Sequence, residues 1–198
     1  MTMRGNLDAI NNNVIVYMNE QYESTITAPG GTKFHVNNAI DDTTYLIRHG
    51  EVVTSSDSRF KVGDEVYFHH NCVRRHTTAE GRKERGENEV MDNMFRIEVS
   101  YIYLIKRNGE YMAVDPWCYV SPVEKKKHMH GCIELVDNEE YERQFGEMVY
   151  TNESLKEQGV ENGDTIIFNL DSEYQFKVDD RMLYRMKTPW IIGKLKDV

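Results

Sequence analysis

Two groups of histidine and cysteine carry residue types that could hold a metal. His69, His70, Cys72 and His76 form one, and His128, His130 and Cys132 the other. A structural zinc site needs such ligands in a closed tetrahedral set, usually announced by paired short spacings. Neither group has that pattern, and both fall in or beside segments that read as loops. Exposed loop histidines are therefore the expectation, with no metal and no cofactor. Nucleophilic chemistry has no better footing: the chain contains no Gly-x-Ser-x-Gly elbow and no phosphate-cradling glycine loop. A nicotinamide-dependent reaction would need a βαβ unit with a glycine fingerprint, and none is present. Carboxylate pairs such as Glu139/Glu140 and Asp179/Asp180 read as turn and surface residues. The chain is not expected to be an enzyme.

The elements that would position any site must come from a chain of 198 residues, 39% hydrophobic and 29% charged, a globular composition. Its net charge of −9 argues against a nucleic-acid partner, which would call for a basic surface. No apolar run approaches the roughly 20 residues of a membrane-spanning helix, and the opening residues lack the apolar stretch of a signal peptide. The three cysteines, Cys72, Cys118 and Cys132, are too few for a disulfide framework. These features lead to the expectation of a cytoplasmic protein without membrane partners.

Apolar residues recur mostly with a period of two. Val14–Tyr17, Gly50–Val53, Glu65–Phe68, Phe95–Val99 and Tyr101–Ile105 read as short strands. So do Cys118–Val120, Gly146–Tyr150, Thr165–Phe168, Tyr174–Val178 and Trp190–Ile192. The one helical candidate is Asn152 to Gln158, which reads equally as a turn. An all-β fold of barrel or sandwich type follows.

An internal repeat organises these strands. Lys61-Val62-Gly63-Asp64-Glu65-Val66-Tyr67-Phe68 returns as Glu161-Asn162-Gly163-Asp164-Thr165-Ile166-Ile167-Phe168. Glycine accepts positive φ and aspartate bonds its own backbone, so each Gly-Asp predicts a turn feeding a buried strand. Upstream of each copy lies a Gly-Glu strand, at Gly50-Glu51 and Gly146-Glu147. Further upstream, each half carries a glycine followed by a polar-interrupted apolar segment. Each half is expected to close on an aromatic-rich strand pair, Tyr101 to Val114 and Met182 to Leu195. The chain thus divides as 1–114 and 115–198. The first half alone contains a long polar insertion, 69–94, expected as a protruding hairpin or mobile loop.

This ordered series resembles the GroES family of co-chaperonins. Asn13–Val16 is similar to that family's first strand, and Gly30-Gly31 with Phe34-His35-Val36 sits where its mobile loop lies. Gly50–Val53, the Val62-Gly63-Asp64 segment and Tyr103–Met112 follow in family order. In the second half Trp117–Val120, Gly131 with Ile133-Glu134-Leu135, Gly146–Val149, Asn162–Phe168 and Leu183–Leu195 repeat it. The resemblance implies two tandem GroES-like small β-barrels with long mobile loops. It also implies a co-chaperonin that caps a GroEL-type chaperonin ring and assists ATP-dependent folding. A homo-oligomer, in ring form, is implied as well.

The family's apolar loop tripeptide has a polar centre here, at His35 and at Glu134. In an extended peptide the outer residues share one face, so Phe34/Val36 and Ile133/Leu135 can still enter pockets together. The competing reading is a non-chaperone assembly or structural protein, for example a viral one working in a host cytoplasm, built on the same barrels.

Overall fold

The protein is described from a computed structural model, which covers residues 7–20, 25–27, 32–35, 47–74, 76–77, 80, 83–124, 129–130, 133–134 and 141–195. The chain divides into two compact units, Met1–Glu110 and Tyr111–Val198. Its strands begin with β1 (Asn13–Tyr17), β2 (Thr25–Thr27), β3 (Lys33–His35), β4 (His49–Ser55) and β5 (Glu65–Phe68). Next come β6 (His76–Thr77), β7 (Lys83–Glu84), β8 (Glu89–Met91), β9 (Met94–Glu98), β10 (Ile102–Arg107) and β11 (Glu110–Ala113). The second unit continues with β12 (Trp117–Glu124), β13 (Met129–His130), β14 (Ile133–Glu134) and β15 (Tyr141–Tyr150). After the short helix α1 (Glu153–Glu157) follow β16 (Thr165–Phe168), β17 (Tyr174–Val178), β18 (Arg181–Lys187) and β19 (Ile191–Lys194).

The fold is mostly β, with two antiparallel sheets. The first runs β8-β9-β1-β4-β5-β10-β11 and the second β17-β18-β12-β15-β16-β19. Strand for strand the two orders match, and only β11 lacks a counterpart. Pairing among the described strands leaves both sheets open, with β8 and β11 outermost in one and β17 and β19 in the other; neither closes into a barrel.

Register shows why the alternating sequences fold this way. Val16 lies opposite Val52 on one side and Phe95 on the other, and Val120 lies opposite Met148 and Tyr184. Side chains of period two thereby share one face and leave water together. Val14, Val16, Val52, Val66, Phe68, Phe95 and Ile97 are all buried in the first unit. In the second, Cys118, Val120, Met148, Leu155, Val160, Ile166, Phe168 and Met186 form one apolar cluster. Each such side chain contributes about 2 kcal/mol by leaving water. The helix α1 supplies Leu155 to that cluster, and the buried Asn152 caps it by accepting from the Leu155 N–H at 2.9 Å.

Two expectations need correction. Met182–Leu195 is not a paired hairpin: β18 pairs with β12 and β17, whereas β19 pairs with β16. A 3-10 turn at Thr188–Trp190 carries the chain from one side of the sheet to the other. Its true counterpart is β9 and β10 around the 3-10 turn Val99–Tyr101, and the β10–β11 pairing is an addition of the first sheet. The insertion is also shorter than 69–94, because Glu89–Met91 and Met94 belong to the main sheet. They match β17 and β18, and both hairpins turn through a positive-φ residue, Asn93 and Asp179. What the first unit adds within that stretch includes the 3-10 turn His70–Val73 and the β6/β7 ladder.

Candidate functional site

Both segments singled out as partner-binding loops carry a short two-stranded ladder of their own. β2 pairs with β3, with Ile26 opposite Phe34, and β13 pairs with β14, with His130 opposite Ile133. Each ladder is inserted between the first strand of its sheet and the strand that pairs with it, β1 to β4 and β12 to β15. Phe34 is 52% exposed, a large apolar ring left in water. His35 lies beside it on β3, and Ile133 and Glu134 make up β14. Gly30, Gly31, Val36, Gly131 and Leu135 lie outside the described residues.

The anchor of each segment is the strand that receives it back into the sheet. There Gly50 faces Val66 and Gly146 faces Ile166. A Cβ on Gly50 would lie 3.0 Å from Tyr17 O and from Met18 Cγ. On Gly146 it would collide with Val120 Cγ1 and lie 2.9 Å from Ser121 O. Only glycine lets the returning strand approach the first strand this closely.

The repeated Gly-Asp turn locks the next strand. Gly63 and Gly163 have φ of +87° and +93°, and their N–H groups donate to Val52 O and Met148 O at 2.9 and 2.7 Å. Asp64 Oδ2 accepts from the Lys61 N–H, and Asp164 Oδ2 from the Glu161 N–H, both at 2.7 Å. A cation from the closing strand completes each turn. Arg107 donates to both oxygens of Asp64, at 2.7 and 2.6 Å, while Lys194 Nζ reaches Asp164 Oδ2 at 2.6 Å. Burial opposes ionisation of Asp64, which is 3% exposed. Hydrogen bonds from Arg107 and the Lys61 amide outweigh it and hold the carboxyl below its ordinary value. The Glu161 amide and Lys194 move Asp164 in the same direction. Sequence reading found both turns and missed both cations, though each closing strand ends on a basic residue.

A depression of about 650 Å³ lies where the first segment leaves and rejoins the sheet, bordered by Tyr17, Met18, Glu20, Ile47, His49 and Glu65. Within it His49 Nδ1 lies 2.6 Å from Glu65 Oε1, and Lys106 lies 3.5 Å from Glu65 Oε2. Of the histidine groups considered for metal, His69 and His70 stack on each other at 4.3 Å. Cys72 is buried, and burial together with the charge of Glu98 pushes its thiol up to about 12. His76 and His130 lie on β6 and β13, whereas His128 and Cys132 lie outside the described residues. No group of three or more such ligands comes together among the described residues. Among the described residues no helix is long and apolar enough to cross a membrane.

One further pair of residues escaped sequence reading. Arg185 on β18 is 9% exposed, its guanidinium 4.5 Å from the ring of Trp117, 4.7 Å from Tyr174 and 5.5 Å from Phe176. Lys187 lies over Trp117 and Trp190 at 5.2 and 5.8 Å. Register places Arg96 at the same point of the first sheet, opposite Ile15 as Arg185 is opposite Tyr119. Among the described residues no aromatic cage surrounds Arg96; its Nη2 donates to Asn88 Oδ1 at 2.9 Å. Arginine at matched strand positions was the available signal, but the two strands must be aligned before it shows. A scan of the sequence against protein-family models finds no match, and a search of curated proteins finds no relative.

Proposed function

We propose that this chain is a tandem co-chaperonin, each open sheet being the opened form of a GroES-like barrel, and that it caps a GroEL-type chaperonin ring as a homo-oligomer. The observation that carries the reading is the coincidence of position. In both units the segment with the loop motif leaves the first strand of the sheet and returns through the Gly-Glu strand, in the order the resemblance requires. Phe34, half exposed on β3, is a ready apolar anchor, and burying such a ring in a partner's groove is worth about 2 kcal/mol. Contacts of that size are weak singly. Presented several times on one assembly, they add through effective concentration to a firm but reversible cap. The work is done by binding free energy, with no bond made or broken.

The test mixes the full chain with a GroEL-type ring, with and without ATP, and follows co-sedimentation. The proposal expects a nucleotide-dependent complex that is lost or weakened at least about tenfold when Phe34 and Ile133 are both changed to Ala. Absence of any complex, or one indifferent to both substitutions, overturns it in favour of the assembly-protein reading.

A further inference from the structure

The position of Arg96 in the first unit carries an inference independent of chaperonin binding. Matching pairs define the comparison. Asn13 is opposite Glu98, as Trp117 is opposite Lys187. Glu89 is opposite Phe95, which sets Asn88 across from Arg96, and the Arg96 N–H donates to Asn88 O at 2.7 Å. Tyr174 is likewise opposite Arg185. Asn13 and Asn88 therefore occupy the places of Trp117 and Tyr174, the two nearest of the three rings packed on Arg185. Tyr101 ends its 3-10 turn as Trp190 ends the equivalent one.

The consequence of those two exchanges is space. Where the second unit is filled by its own rings, the first has an open pocket of about 410 Å³, lined by Asn13, His69, Asn88, Arg96, Glu98 and Tyr101 among others. That volume is within the range of small-molecule sites. Its chemistry is specific. The face of a guanidinium attracts a π-system. Asn88 Oδ1 accepts from Arg96, and Asn13 Nδ2 donates to Ile10 O and Asn11 O at 2.7 and 3.1 Å, so the donor for the edge of a base comes from the Asn88 amide N–H groups and the acceptor from Asn13 Oδ1. Arg96 and Glu98 cancel in charge, and a net charge of −9 repels polyphosphates.

We propose that this pocket binds a small neutral heteroaromatic ring with paired hydrogen-bonding groups, of nucleobase chemistry, which stacks on Arg96 where Trp117 and Tyr174 stack on Arg185. The ring is supplied as a free small molecule; the same ring within an oligonucleotide binds more weakly, because the chain is acidic.

The experiment titrates the full-length protein with adenosine, guanosine, cytidine and uridine, following the backbone amide resonances of Asn88, Arg96 and Glu98. At least one nucleoside is expected to shift all three with a dissociation constant of about 1 mM or tighter. Arg96→Ala, a change at an exposed side chain, is expected to weaken that binding at least about tenfold. Asn13→Trp with Asn88→Tyr rebuilds the arrangement of the second unit and is expected to abolish it in a folded protein. Should the double variant not fold, Asn88→Tyr alone is expected to weaken binding at least about tenfold. The proposal is overturned if no nucleoside shifts these resonances at about 10 mM, or if binding survives both Arg96→Ala and the filling variant unchanged. Equal shifts with glucose, or tighter binding of a short oligonucleotide than of its nucleoside, also overturn it.

Discussion

The two units share a strand order and a turn but differ in how they treat the same positions. The second packs Arg185 among rings; the first leaves Arg96 beside asparagines and an open pocket. The first closes its turn with a buried carboxylate held by Nε and Nη2 of Arg107, the second with a more exposed carboxylate and a single lysine. Matched positions that fix backbone geometry are alike in the two units, and those that fix side-chain surroundings differ. The lesson is that a backbone constraint admits few residues, whereas a packing constraint admits many.

The sharpest break in that comparison is at the paired glycines. Gly146→Ala places a methyl against Val120 and the Ser121 carbonyl, both held in a strand, and is expected to cost about 3 kcal/mol in denaturant unfolding. Gly50→Ala meets a flexible Met18 side chain as well as Tyr17 O, and a smaller loss of about 1–2 kcal/mol is expected. Equal losses would show that the two strand crossings are not as differently packed as the distances imply.

Next come the aspartates. Asp64→Asn removes a buried, charge-assisted pair and is expected to cost about 2 kcal/mol near neutral pH; Asp164→Asn is expected to cost clearly less, its pair being exposed. The pH dependence follows from the same geometry. With its pKa lowered from an ordinary value near 3.8, Asp64 is less protonated in the folded than in the unfolded chain. The unfolded state then binds more protons, so this stabilisation is complete above about pH 5 and fades as the pH falls through the folded value. Asp64→Asn is expected to flatten the acid limb of a stability-versus-pH curve more than Asp164→Asn does. The reverse ranking would mean that the Arg107 pair is not the stronger one.

The smallest effect is chemical. Cys72 and Cys118 are buried, and both thiols are pushed up to about 12. Alkylation of the native protein at about pH 8 is expected to leave both unmodified, and both are expected to react after denaturation. Rapid native labelling of Cys118 would contradict its place in the core of the second unit.

The sequence was legible where the determinants are local. Gly63-Asp64 and Gly163-Asp164 announce their turns because donor and acceptor lie within three residues. Period-two runs such as Glu65–Phe68 and Thr165–Phe168 became strands with those bounds. Legibility failed where a partner is distant. Arg107 meets Asp64 from 43 residues away, and Asn13, Asn88 and Arg96 meet across separate elements with no motif between them. Met182–Leu195 departs from the expected strand pair for a related reason. Alternation marks a strand but not its neighbour, and the added β11 made the first closing segment look like the pattern for both.

Capping is tested most directly by the native mass of the chain with a GroEL-type ring. With ATP present, the expected result is a single complex whose mass equals one chaperonin assembly plus a closed oligomer of this chain, absent when nucleotide is omitted. Free chain and free ring at their separate masses, with nucleotide present and both proteins folded, would contradict it.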